Sequence, residues 1–234
     1  QTYACRDNID YAPNLGFRNL TCPILDGAVM SYPQQHTAPE APTPSGVAQK
    51  FGRFEAKARI PKGIGAFPAT WLMPLEGGWP YDGGEIDVME ARDNADEVYQ
   101  TFHSGRCYRA DNGPEIDATD GADCAAKGGT STHMSKGYTI RQRATDEFWK
   151  RYHLFAVEWT DTDGGRLDYY INNVHTGSVS VGMSATLDEG APTSLSPFSA
   201  ENFPKSPFYW ILNHSTWVPP DKQASFAQQM FEID

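Results

Sequence analysis

Between Gly52 and Pro61 charged and apolar residues alternate without a break: Arg53, Glu55, Lys57 and Arg59 interleave with Phe54, Ala56, Ala58 and Ile60. A period of two puts the apolar set on one face of a strand and the charged set on the other. The segment is therefore expected to cover one side of a core and show its other side to water. No window carries the 3.6-residue pattern of a long amphipathic helix. Short apolar runs recur instead between turn residues. Phe67–Pro74 follows the turn Pro61-Lys62-Gly63, and Glu85–Glu90 follows a Gly- and Pro-rich turn. Val98–His103, Phe208–Asn213, and Tyr152–Thr160 with Arg166–Val174 around the turn at 161–165 also read as strands. A last strand begins at Met230 and stops at Asp234. Residues 1–50 read as irregular, and the stretch from Gly105 to Gly137 as a long connection, of the kind that is usually functional or stapled. The chain is expected to be all-β, a β-sandwich or jelly roll, in one domain over residues 1–234.

Charge and hydropathy exclude whole classes. The formal net charge is -11, so a nucleic acid would meet a repulsive surface. No apolar run approaches the roughly 20 residues of a helical membrane span. Neutral polymers are indifferent to the charge. Heavily sulfated ones are disfavoured unless a local basic patch overrides it.

Cysteines stand at 5, 22, 107 and 124. They form no CxxC, and no His lies at zinc-site spacing, so no metal site is expected. Three pairings are possible; Cys5–Cys22 with Cys107–Cys124 is favoured because each closes a local loop. Disulfides imply an oxidising compartment and a secreted protein; four buried reduced thiols are the alternative. Asn19-Leu20-Thr21 and Asn213-His214-Ser215 are glycosylation sequons, a weak signal in the same direction.

Chemistry concentrates in Glu85-Ile86-Asp87-Val88-Met89-Glu90, three acids within six residues of an apolar strand. On a regular strand Glu85 and Asp87 share a face, and Glu90 has the wrong parity. A β-bulge near Val88-Met89 would return Glu90 to their side. The Cα atoms would then span roughly 13 Å. Two Glu side chains leaning together could bring their carboxyls near the ~5–5.5 Å separation of retaining glycosidases. Acids this close cannot all ionise freely, so at least one carboxyl is expected to titrate high, as a general acid requires. An acidic edge strand or a calcium site are the competing readings. The first sits poorly with the flanking Trp71, Trp79 and Phe102, and the second lacks enough oxygen ligands.

The segment Gly84–Glu90 resembles the active-site motif of glycoside hydrolase family 16 in its bulged, laminarinase-type form; the unbulged form has one residue fewer. Phe51–Gly63 is similar to that family's approach strand, Phe67–Pro74 to the strand that follows, and Tyr152–Trp159 to its later H-x-(F/Y)-A-x-E-W strand. The resemblance covers about 45–234. It implies a concanavalin-like jelly roll with a concave substrate cleft and a retaining mechanism. Glu85 would be the nucleophile, Glu90 the acid/base, and Asp87 the residue that orients and tunes the nucleophile. In similar enzymes a His at the place of His103 lies near the acid/base end. The family's first strand is not recognisable before Gln1 and its last stops at Asp234, so the domain is expected to be trimmed at both ends. Members often carry a structural calcium, for which no residue set stands out here; no cofactor is required.

Aromatic rings suit the apolar faces of sugars, which makes Trp71, Trp79 and Trp217 candidate substrate platforms beside His103. Trp159 and Trp210, inside apolar strands, read as packing residues. Arg53 and Glu55 could face either cleft or solvent. The segment 213–220 departs from the laminarinase pattern, as does the long stretch at 105–137. The leading expectation is a monomeric, secreted endo-hydrolase of a neutral β-1,3-glucan. A β-galactan substrate, transglycosylation and a non-catalytic glucan-binding sandwich are the alternatives. Family relatives that only bind typically lack one of the two glutamates, and both are present.

Overall fold

The computed structural model describes residues 27–31, 46–63, 65–76, 84–93, 96–105, 107–109, 115–116, 121–130, 135–143, 148–184, 186–187, 197–216 and 232–233. In chain order its strands are β1 (Gly27–Met30), β2 (Gly52–Arg59), β3 (Ala66–Pro74), β4 (Glu85–Glu90), β5 (Glu97–Gly105), β6 (Cys107–Arg109), β7 (Glu115–Ile116) and β8 (Gly129–Thr130). They continue as β9 (Ser135–Arg143), β10 (His153–Thr160), β11 (Arg166–Ile171), β12 (Val174–Ser180), β13 (Thr186–Leu187), β14 (Phe208–Thr216) and β15 (Glu232–Ile233). Among the described residues one short α-helix, α1 (Gly121–Ala126), lies between β7 and β8.

Two antiparallel sheets make the sandwich. One has seven strands in the order β1-β14-β3-β4-β5-β9-β13, the other five in the order β12-β11-β10-β2-β15. The alternation at 52–60 explains the second sheet directly. Phe54, Ala56 and Ala58 are buried, while Arg53 and Glu55 point away from the core. Arg53 donates to Glu158 Oε1 at 3.0 Å and to Glu55 Oε2 at 2.8 Å on that outer surface. The approach strand therefore lies in the sheet opposite the carboxylate strand, and neither Arg53 nor Glu55 belongs to the cleft.

Between the sheets, Trp159 meets Phe51 with ring centroids 4.8 Å apart and Phe208 at 5.5 Å, and Trp210 meets Phe54 at 6.1 Å. Both tryptophans are packing residues, as their strands suggested. A side chain of this size, fully buried, contributes about 2–3 kcal/mol.

Three expectations need correction. Arg166–Val174 is a hairpin rather than one strand, because Asn172 and Asn173 take φ of 51° and 62° and send β11 back as β12. Asparagine tolerates this left-handed backbone better than most residues, and two such positions in succession make a tight hairpin turn. Residues 1–50 are not wholly irregular: β1 pairs with β14. The stretch at 105–137 carries a small sheet, β7-β6-β8, together with α1. Cys124, on that helix, is buried and disulfide-bonded. Cys5, Cys22 and the side chain of Cys107 lie outside the described residues, as does the expected pairing.

Candidate active site

Strand β4 lies between β3 and β5, near the middle of the seven-stranded sheet. Against β5, Glu85 faces His103 and Asp87 faces Thr101, yet Glu90 faces Tyr99. Three steps along β4 thus match two along β5. The same slip appears on the other side, where Asp87 faces Trp71 and Glu90 faces Ala69. Strand β4 therefore holds one extra residue between Asp87 and Glu90, at the place where side-chain parity requires a bulge. Val88 and Met89 both point into the core with no exposed surface, and Glu90 comes back to the outward face with Glu85 and Asp87. The strand is entered through Gly84, at φ +72°, where a Cβ would stand 2.0 Å from the His103 carbonyl oxygen. Only glycine suits both the backbone angle and the closeness of that approach.

The carboxyl of Glu85 titrates well above the usual carboxylate range. Burial is the largest cause, followed by the negative charge of Asp87; His103 pulls the other way, and Glu90 and a hydrogen bond with Asp87 add to the rise. The high-titrating acid is thus the residue expected to act as nucleophile. His103 Nε2 lies 3.1 Å from Asp87 Oδ2 and 4.0 Å from Glu85 Oε1. It stands opposite Glu85, at the nucleophile end of the row, not at the acid/base end that the resemblance implied. The reason is register: β5 runs antiparallel to β4, so its later residues meet the earlier ones of β4. From the second sheet, the buried Tyr169 donates to Thr101 O at 2.8 Å behind the row. Its phenol is pushed well up by burial and then by Asp87.

Trp71 sits on the same outward face, beside Asp87. Its Nε1 donates to Asn213 Oδ1 at 2.6 Å, and Asn213 Nδ2 in turn donates to Ser215 Oγ at 2.7 Å. The amide of this second sequon is thus engaged by its own serine and by the tryptophan. Trp79 and Trp217 lie outside the described residues.

Beyond Glu90 the same face carries a basic pair that the sequence reading passed over. Arg141, opposite Tyr99, donates Nε to Glu97 Oε2 at 2.6 Å, and Arg143 Nε contacts Glu97 Oε1 at 2.5 Å. Those bonds, that to Arg141 foremost, hold the Glu97 carboxyl below its ordinary range. The alternation Arg141-Gln142-Arg143 was the available signal, in a segment not assigned to a strand.

The described residues bring one His/Asp/Glu group to metal-binding distance, and it is this same centre. Glu85, Asp87 and His103 each offer a ligand atom, all within 4.8 Å of one another. Chemically, the row supplies a carboxylate that can attack, a second glutamate that can give and take a proton, and between them an acid tied to an imidazole.

Known proteins are similar to this chain. Residues 56–164 match the family model for the XgeA-like catalytic GH16 domain. A keratan-sulfate endo-1,4-beta-galactosidase of Sphingobacterium multivorum is 30% identical over 169 residues, which is 70% of this chain and 30% of that protein. The glucan endo-1,3-beta-glucosidase A1 of Niallia circulans is 27% identical over 198 residues, 78% of this chain and 24% of the relative. The chain therefore spans less than a third of either relative's length. Among solved structures, the Bacteroides ovatus mixed linkage glucan PUL GH16 in complex with G4G4G3G product superposes with a TM-score of 0.53 at 18% identity, covering 80% of this chain and 68% of that one. At that identity the likeness speaks for the jelly-roll fold.

Proposed function

The chain belongs to glycoside hydrolase family 16, and from that membership we propose that it is a retaining endo-glycosidase acting on a β-1,3-linked glucan. One observation carries the reading: the bulge in β4 returns Glu90 to the face of Glu85 and Asp87, so the two glutamates flank one point on the sheet. Glu85 attacks the anomeric carbon and forms a glycosyl ester while Glu90 protonates the departing sugar oxygen. Water, deprotonated by Glu90, then opens the ester, and the anomeric configuration is retained. Asp87 and His103 hold Glu85 in place. The site's burial, and after it the charge of Asp87, raise the Glu85 carboxyl, and His103 pulls the other way. Trp71 offers its indole face to a sugar ring, with Trp79 and Trp217 as further platforms. The reaction needs no cofactor. The disulfide at Cys124 supports a secreted protein.

A second reading keeps the mechanism and changes the sugar to a β-galactan, including an anionic one. The exposed pair Arg141 and Arg143 beside Glu90 supports it, since it is a local basic patch on an otherwise acidic protein. The relation to a keratan-sulfate galactosidase points the same way.

A reducing-sugar assay over laminarin, mixed-linkage glucan, β-1,3-galactan, agarose and keratan sulfate tests both. The first reading expects laminarin to be cleaved, with the β-anomer released first in the proton NMR spectrum. Cleavage of a galactan without laminarin would transfer the assignment to the second. Glu85→Gln should lose several powers of ten in kcat, and a variant that turns over normally would sink the mechanism.

A further inference from the structure

Gln100 is wholly buried, on the core side of β5 between Tyr99 and Thr101. Those two neighbours face Glu90 and Asp87, so Gln100 stands where β4 has its extra residue. An uncharged amide in an apolar core costs free energy unless each of its polar groups is paired, and a leucine or methionine would carry no such cost. Here every group is paired. Nε2 donates to Val88 O at 3.1 Å and to Tyr170 O at 3.3 Å, and Oε1 accepts from Thr176 Oγ1 at 2.6 Å.

Each of these partners lies at an irregularity. Val88 belongs to the bulge of the carboxylate strand. In the other sheet, Tyr169 faces Gly177 while Tyr170 faces His175, which leaves Thr176 as an extra residue in β12. A bulge takes backbone groups out of the regular ladder, and one side chain supplies the missing partners to both. The sheets come close enough for this because β12 continues with Gly177, where a Cβ would stand 2.6 Å from Ile140 Cδ1. Gln142 Nε2, donating to Thr176 O at 3.3 Å, completes the column.

We propose that Gln100, braced by Thr176, is a positioning residue for the acid/base: it locks the β4 bulge to the bulge in the opposite sheet and so holds the Glu90 carboxyl in the cleft. The inference rests on the reading of Glu90 as the proton donor. Its physical basis is that a one-residue slip turns every later side chain of a strand to the other face. The catalytic parity of Glu90 depends on a bulge that the ladder alone does not pin. Gln100 touches neither substrate nor reacting atoms.

The test uses two substrates that differ in their need for an acid. A polysaccharide leaves as a sugar alcohol, which must be protonated. The 2,4-dinitrophenyl glycoside of the same sugar leaves as a stable phenolate and needs no proton. Thr176→Val removes the brace from the far sheet while keeping side-chain volume, and Gln100→Met removes the clamp. With kcat/KM reporting bond cleavage, Thr176→Val is expected to lose about tenfold on polysaccharide and Gln100→Met about a hundredfold, the scale of a small misplacement of a catalytic group. Both should stay within about threefold of wild type on the aryl glycoside. The double variant should be no worse than Gln100→Met, because the hydroxyl acts through the amide. Equal losses on the two substrates, or no loss in a folded variant, would overturn the proposal. Should Gln100→Met fail to fold, Thr176→Val decides the matter alone. A wild-type protein that cleaves no glycan overturns the hydrolase reading itself, an outcome separate from a clamp that proves silent.

Discussion

If Trp71 is a sugar platform held by Asn213, removing the ring and removing its tether should have separable effects. The indole stands beside Asp87 and is fixed by one hydrogen bond of 2.6 Å to Asn213 Oδ1. A sugar ring laid on it would take roughly 60–80 Å² of apolar surface out of water, worth about 1.5–2 kcal/mol at ~25 cal/mol per Å². Trp71→Ala is thus expected to weaken binding about ten- to thirtyfold. Asn213→Ala leaves the ring but deletes the tether and the bond to Ser215, each a half-buried neutral bond worth about 0.5–1.5 kcal/mol. Its effect on binding should stay below tenfold, while its melting temperature falls by a few degrees. Trp71→Phe, which keeps part of the face and loses the N–H, should fall between them. Titration calorimetry of a laminarin oligosaccharide, with Glu85→Gln as the common background to prevent turnover, measures all three. Wild-type affinity in Trp71→Ala would show that the ring merely braces Asn213, and the platform assignment would be wrong.

The electrostatics of the row yield two more expectations, and its entry turn a third. Asp87 raises the Glu85 carboxyl, so Asp87→Asn should lower it; because the nucleophile acts ionised, the acid limb of the kcat/KM profile should move to lower pH, and a limb that moves upward would contradict the assignment. Glu85 is protonated in the folded protein at pH values where it is ionised in the unfolded chain. Burying its charge therefore costs stability above its folded pKa, and that cost vanishes below the ordinary carboxyl value of 4.5. Glu85→Gln should accordingly melt higher than wild type at neutral to alkaline pH and alike at pH 4, and equal melts throughout would argue against a raised carboxyl. Gly84→Ala meets a left-handed strain of about 1–3 kcal/mol and the His103 carbonyl as well, so its thermal midpoint should drop by several degrees; a midpoint at the wild-type value would mean that the turn into β4 relaxes freely.

Much of this site could be read before any coordinates, because its signals are local. The alternation of Arg53 to Ile60 sets the face of β2 by itself, and the odd spacing from Asp87 to Glu90 requires a bulge by parity alone. What could not be read depends on which strand lies beside which. His103 stands opposite Glu85 because of antiparallel register, and that places it at the other end of the row from the family expectation. Arg141 and Arg143 enter the site only because β9 adds to the edge of β5. Gln100 offered no cue, since a lone glutamine between Tyr99 and Thr101 reads like any polar strand residue until its two bulges are known. Asn172-Asn173 was a fair hairpin signal that the surrounding apolar run concealed. Asn213 read as a glycosylation tripeptide, whereas its amide is bonded within the fold to Trp71 and Ser215.

The extra residue in β4 also sets how this strand can change length over generations. An in-frame loss of codon 88 or 89 would leave acids at the first, third and fifth places of a shorter strand, where plain alternation already puts them on one side. The catalytic row survives that deletion without any compensating change. Insertion of a further codon there would instead place the last glutamate seventh, on the same side by plain alternation but about 7 Å farther along the strand from its partner. Drift through this segment is consequently one-directional, and the mark that a deletion would leave is an interior glutamine whose partner on β4 is gone.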